Sequence, residues 1–447
     1  MTDFWLERRL QKVPQRQQDH RDPFRRDRAR ILHSAAFRRL QSKTQVMGSG
    51  QGDFYRTRLT HSLEASQIGS GITAQLRYKH PQKCQVLLPQ SDSLIEAICL
   101  AHDIGHPPFG HGGEIALHYM MREHGGFEGN GQTFRIVARL EPFSEHHGMN
   151  LTRRTLLGLM KYPQTLEQLS NPQAANKIDN FRQLKTNQWH PAKGLYSDDS
   201  AIIEWLLAPL STQDRTLFQQ MHYQEQAHHK TKFKSLDCSI MELADDIAYG
   251  IHDLEDAIVT GIVNRDHFEQ EVLKKLQYLD DRWLKDYCKS LTNKLFSEQH
   301  HLQKDAIGGL VNYLITAINL TDMNESIEQV NFNEPLLRYN ATLPKITAQA
   351  LQIFKDFIFK FVIQKTSIQR LEYRGQQIIM ELFEALSSDP MRLLPSNSAK
   401  RYQDAIDKGE NAQRVIADYV SGMTDDYATR LYQTLFVPNA SATYHLS

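Results

Sequence analysis

AHDIGHPPFGHGGE (residues 101–114) is the stretch on which the reading of this chain turns. The segment leading into it, SLIEAICLA (93–101), puts Ile95, Ile98 and Cys99 at three- and four-residue spacing, the mark of an amphipathic helix. Gly105 and Pro107-Pro108 then stop the run, so His102 and Asp103 stand at a helix end. Neighbouring helical residues point about 100° apart, but an opening last turn lets both reach one ion. The following loop carries His106 and His111 beside two prolines. A stiff backbone holding imidazoles suits contacts to phosphate and to a bound water.

Two further segments extend this pattern. RTRLTHSLEAS (56–66) contains His61, preceded by Arg56 and Arg58, whose guanidinium groups are bidentate donors suited to phosphate oxygens. ELADDIAYGIHDLED (242–256) sets Asp245, Tyr249 and Asp253 four residues apart, on nearly one helical stripe. Ile247, Ala248 and Ile251 beside them predict that the stripe is partly enclosed, where a carboxylate must be paired, hydrogen-bonded or on a metal. His61, His102, Asp103 and Asp245 thus form a candidate ligand set for a divalent cation with open positions for water and substrate. Residues so far apart in sequence meet only if several helices converge, as in bundle cores.

The rest of the chain reads as helical, with an all-α fold expected. Segments 27–43, 93–101, 240–260 and 350–386 carry helical spacing, and no period-two alternation stands out. Leu59 and Leu63 are expected to face the core. Glycine and proline punctuate GSGQG (48–52), GHPPFGHGG (105–113) and GGFEGNG (125–131). The polar stretch from Pro163 to about Ser200 reads as a long surface excursion. Beyond about residue 265 no His, Asp or Gly cluster recurs, and packing, oligomer contacts and an occasional anion ligand are the expected roles.

Composition sets outer bounds. With 447 residues, 40% of them hydrophobic, a sizeable core is available. Lys plus Arg and Asp plus Glu are equal at 52 each, so no global basic field marks a nucleic-acid binder, and any anion site is local. The charged start MTDFWLERRLQK lacks an apolar signal region, no transmembrane stretch is evident, and Cys84, Cys99, Cys238 and Cys288 lack metal or disulfide spacing. A cytoplasmic protein without membrane contact is the expectation.

Taken together, DRARILHSAAFRRLQSKTQV (27–46), YRTRLTHSLEASQIG (55–69), AHDIGHPPFGHGGE (101–114), FEGNGQTFRI (127–136), NLTRRTLLGLMKYP (150–163) and ELADDIAYGIHDLEDA (242–257) resemble the HD-domain deoxynucleoside triphosphate triphosphohydrolases, the bacterial dGTPase family. The resemblance implies an HD-domain catalytic core over residues 1–260 with its N-terminal helices, and additional C-terminal helices over 261–447 packed on it. It implies one divalent metal ion per subunit, Mg, Mn or a related transition metal, on His61, His102, Asp103 and Asp245. Asp245 is chosen over Asp246 because the family's substrate-contacting Tyr and Asp follow its ligand by four and eight residues, matching Tyr249 and Asp253. His111 and Glu114 match an acid/base pair whose division of roles stays open, Arg58 and His106 match triphosphate ligands, and Gln45 matches a residue near the deoxyribose. Gly129 departs from members that have His there. The implied reaction converts a deoxynucleoside triphosphate, dGTP preferred, to deoxynucleoside and inorganic triphosphate. The implied assembly is a homo-oligomer, hexamer ahead of tetramer, with single-stranded DNA as a further partner. Another HD-domain nucleotide phosphohydrolase, or a nucleotide or single-strand DNA binder with vestigial hydrolysis, are the alternative readings. Tyr249, Asp253 and Arg58 argue against the first, and the intact ligand set with His111 and Glu114 against the second.

Overall fold

The computed structural model describes residues 3–11, 18–45, 56–174, 178 and 180–438; the turn expected at 48–52 lies outside them. The fold is all-α, with two small antiparallel ladders. Helix α1 (Pro23–His33) starts on Asp22, whose carboxylate accepts from the Phe24 and Arg25 amides, with Pro23 in the first turn. Its buried Asp27 accepts from Arg8, from the Thr152 amide and from the Thr155 hydroxyl, tying the N-terminal segment to the middle of the chain. The run expected over 27–43 is interrupted at Ser34, which turns extended and caps the next helix through the Phe37 amide.

Helix α2 (Arg58–Lys79) opens with a reciprocal capping box between Thr57 and Thr60 and crosses α3 (Ser93–Ala101). The close approach occurs at Gly69, where a Cβ would lie 2.8 Å from Cys99 Sγ and 2.9 Å from Ile95. On α2 the buried face runs through His61, Ala65, Ile68 and Ile72. Leu59 packs against the core, whereas Leu63 is exposed, because it falls about 200° round the helix from His61. Helix α3 is apolar almost all round and buried at every position but Glu96, as a central helix must be. Each of its Leu and Ile side chains contributes roughly 1.5–3 kcal/mol on burial.

Four further helices complete the frame of the site: α4 (Gly110–Met120), α5 (Gly129–Arg135), α6 (Arg153–Leu159) and α7 (Leu236–Ile247). Arg154 of α6 and Asp237 of α7 form a fully buried pair with two contacts of 2.7 and 2.9 Å. From α7 the chain passes through a π turn (Ala248–His252) into Asp253–Val259. Four-residue steps drift by about 40° on an α-helix, and the wider π turn counters part of that drift between Asp245 and Asp253.

The strands β1 (Met221–His222), β2 (Lys230–Thr231), β3 (Asn319–Asp322) and β4 (Tyr339–Thr342) pair as β1–β2 and β3–β4. They are too short to leave an alternating pattern in sequence. The segment expected to be helical over 350–386 is two helices, α8 (Lys345–Ile358) and α9 (Thr366–Ser388), separated by a π turn (Phe359–Ile363) and an extended Lys365. No glycine or proline marks that break. The last helices, α10 (Ala412–Ser421) and α11 (Asp425–Phe436), pack with α9. One apolar core joins α1, α2, α3, α6, α7 and α8, and a second joins α4 to α9 and α10. The 101–114 loop bridges the two cores.

Candidate active site

His102 follows the last residue of α3, and its Nδ1 donates to the Cys99 carbonyl at 2.6 Å. That bond fixes the tautomer and leaves Nε2, buried and without a hydrogen-bond partner among the described residues, facing Asp103 and Asp245 at 3.5 Å each. His61 Nε2 from α2 lies 3.0 Å from Asp245 Oδ1. His61, His102 and Asp103 each offer an atom within 4.8 Å of the others. Burial alone would lower the His102 pKa, but Asp103 and Asp245 outweigh it and raise it to about 9. For both carboxylates burial works upward, yet their cationic neighbours hold them well below the usual range. Ionised carboxylates around an oriented imidazole that gives up its Nε2 proton on binding are the donor set a divalent cation needs, so the residues fit the implied metal.

Asp103 also organises the next residues. Its Oδ2 accepts from Arg58 Nη1 at 2.7 Å, and its Oδ1 lies 3.0 Å from His106 Nδ1. Arg58 Nε donates to the Thr44 carbonyl, next to Gln45, whose buried Oε1 has no partner among the described residues. The loop then turns through two left-handed residues, Phe109 (φ 61°) and Gly110 (φ 57°). A bulky residue rarely adopts this conformation. Here Asp425 of α11 holds it, accepting from the Phe109 amide at 3.0 Å and from the Thr44 amide at 3.0 Å. Buried Lys43 adds a second clasp, donating to the His106 carbonyl and the Ser421 carbonyl.

That turn launches α4 with His111 half-exposed and Glu114 partly buried, 3.4 Å apart between Nδ1 and Oε2. Glu114 Oε1 accepts from the Gly129 amide at 2.8 Å. Burial pushes the Glu114 carboxyl up, but the His111 bond and the charge of His106 hold it well below the usual range. Burial lowers His111, yet Glu114 outweighs it and raises the imidazole. Each member of the pair thus favours the charged form of the other. A Cβ at Gly129 would lie 3.1 Å from Glu114 Oε1 and 3.3 Å from His106 Nε2, so any side chain there would enter between them.

Tyr249 lies partly buried in the π turn, and buried Asp253 begins the helix after it. Asp253 Oδ2 has no partner among the described residues; burial, partly offset by His61 and Arg56, raises its carboxyl to about 7. Arg56, read alongside Arg58 as a phosphate ligand, goes elsewhere: it bonds Glu64 and the His252 carbonyl and pairs with Asp256 at 2.8 Å. Two residues escaped the sequence reading. Lys161, after the apolar run of α6, brings Nζ to 3.8 Å from Asp245 Oδ2, and a lone lysine closing such a run was the available signal. His190, in the supposed surface excursion, stacks on His111 with centroids 5.1 Å apart, and nothing local in the sequence marks it.

A ring of helices around a His/Asp cluster at the end of a central helix is the arrangement of an HD-domain phosphohydrolase. The HD domain family matches residues 58–169, and the phosphohydrolase-associated domain matches residues 341–434, a region without a His, Asp or Gly cluster. The chain is 60% identical over 438 residues to a deoxyguanosinetriphosphate triphosphohydrolase-like protein of Shewanella pealeana, covering 98% of this chain and 97% of that one. A like-named protein of Shewanella sediminis is 56% identical over 449 residues, covering 100% and 99%. This chain belongs to the deoxyguanosinetriphosphate triphosphohydrolase-like family of HD-domain hydrolases. Among the described residues no helix is long and apolar enough to cross a membrane.

Proposed function

We propose that the protein hydrolyses deoxynucleoside triphosphates, dGTP preferred, at the α-phosphorus, releasing deoxynucleoside and inorganic triphosphate. The observation that carries this reading is Asp103: one carboxylate joins the His61/His102/Asp245 cluster to Arg58 and His106, which lead on to Glu114 and His111. His61, His102, Asp103 and Asp245 would hold a divalent ion, which would supply Lewis-acid charge and ease deprotonation of the attacking water. Arg58 and His106, with Lys161 beside Asp245, donate to triphosphate oxygens and offset their charge. Glu114, held ionised, takes a proton from the attacking water, and His111 in its protonated form returns one to the departing 5′-oxygen. The water oxygen bonds to phosphorus as the bond from phosphorus to the 5′-oxygen breaks, so atoms and charge balance.

Tyr249 covers C2′ and excludes a ribose hydroxyl, while Asp253, whose buried Oδ2 has no partner among the described residues, accepts from the 3′-hydroxyl and the Gln45 amide donates to it. Residues 1–260 form the catalytic core in this reading, and 261–447 the accessory helices that brace its loops and carry oligomer contacts. A cytoplasmic homo-oligomer, hexamer ahead of tetramer, follows from the same family likeness, and light scattering measures its size. The test of function is ³¹P NMR of products from each of the four dNTPs and GTP with Mn²⁺. Tripolyphosphate from dGTP supports the reading. Orthophosphate, or equal use of GTP, moves it to a different HD phosphohydrolase, and no product to a nucleotide or DNA binder.

A further inference from the structure

The segment Trp189–Tyr196 meets α4 at both His111 and Tyr119 and is fastened on both sides. Trp189 packs edge-on against Tyr119 of α4, with centroids 4.9 Å apart, and buried Tyr196 donates its hydroxyl to the Glu128 carbonyl at 3.0 Å. Between them the chain adds backbone bonds from Leu195 to Gln164 and from Leu166 to Leu195. Gly194 sits so close to its neighbours that a Cβ would fall 2.8 Å from the Gln164 carbonyl. A polar loop anchored this firmly is a built part of the site's wall. Its one imidazole, His190, lies nearly parallel to His111, at 23° between ring planes.

We propose that His190 is a positioning residue for His111: its ring, held in place by the 163–200 excursion, keeps the His111 imidazole turned toward Glu114. His111 needs such help. It is half-exposed, sits one residue after the left-handed Phe109-Gly110 turn, and reaches Glu114 only at 3.4 Å. A side chain at that exposure has several open rotamers, and a stacked ring removes most of them. The electrostatics agree. Burial, then the neighbouring His111, lowers His190, while Glu114 raises His111 against its own burial. The stack thus pairs the imidazole whose protonation is disfavoured with the one whose protonation is favoured, the order in which a neutral aromatic face attracts a cation. Two imidazolium rings so stacked would repel.

The catalytic consequence rests on the hydrolysis reading above, but the stack itself does not, and the experiment separates them. Wild type, His190→Ala and His190→Phe are compared as Mn²⁺-loaded protein in tripolyphosphate release from dGTP. His190→Ala should lower kcat by about tenfold or more with KM little changed, and His190→Phe, which keeps a ring, should restore most of it. In parallel the His111 Cε1–H resonance, assigned with His111→Gln, is recorded in histidine-labelled protein without nucleotide. It should move when His190 becomes Ala and return toward the wild-type position with Phe. Equal kcat in all three proteins overturns the proposal. If the wild type releases no tripolyphosphate, the functional reading falls and the resonance alone decides the stack: a shift reversed by Phe supports it, and an unmoved signal overturns it.

Discussion

Replacing Asp245 and Asp246 one at a time tests which of the two carboxylates holds the metal. Asp245 Oδ1 lies 3.0 Å from His61 Nε2 and 3.5 Å from His102 Nε2. Asp246 points away, its side chain 44% exposed and paired with Lys355 at 2.6 Å. Loss of groups that merely orient ligands weakens metal binding about 10–100-fold. Loss of a ligand itself should then cost at least about 100-fold in metal affinity, close to 2.7 kcal/mol. Asp246→Ala removes only a solvent-screened ion pair, about 0.2–1 kcal/mol of stability and nothing in metal binding. Metal analysis of the purified proteins and calorimetric titration with Mn²⁺ read both effects. An Asp246 variant without metal beside a fully loaded Asp245→Ala would refute the assignment.

Glu114→Gln should keep metal and nucleotide binding but lose at least about 100-fold in kcat, the scale of a missing acid/base group; an unchanged kcat with raised KM would make Glu114 a binding residue only. Wild type should prefer dGTP over GTP by at least about 100-fold in kcat/KM, about 2.7 kcal/mol, and Tyr249→Ala should shrink that ratio while Asp253→Ala slows all four dNTPs. Stability should also depend on Glu128, which burial and then the Glu114 charge push up to about 7 from an ordinary 4.5. As pH climbs through that window the unfolded chain releases a proton the native chain keeps, so the contribution complete below 4.5 is lost by 7. Urea midpoints at about pH 5 and pH 8 should fall less for Glu128→Gln than for wild type, and equal falls would contradict the shift.

The parts of the site visible in sequence are those whose chemistry is local. His102-Asp103 at a helix end, the proline-stiffened histidine loop and the Asp245/Tyr249/Asp253 spacing all carry their meaning within a few residues, and the structure brings His61, His102, Asp103 and Asp245 together. What stayed hidden depends on chain returning from far away. Asp425 holds the Phe109 turn from more than three hundred residues downstream, and the excursion that delivers His190 reads as polar surface because Gln and Asn are scattered among the apolar residues, Trp189 and Tyr196 included, that anchor it. Arg56 misled for the converse reason: a guanidinium beside a candidate site looks like a phosphate ligand until Glu64 and Asp256 take up its charge. The π turns at 248–252 and 359–363 are likewise silent, since no residue type marks them.

Hydrolysis of dGTP in ¹⁸O-labelled water, with mass analysis of both products, tests the central claim most directly. Attack at the α-phosphorus places one ¹⁸O in tripolyphosphate and leaves deoxyguanosine unlabelled. Label in deoxyguanosine, or in released orthophosphate, would contradict the account.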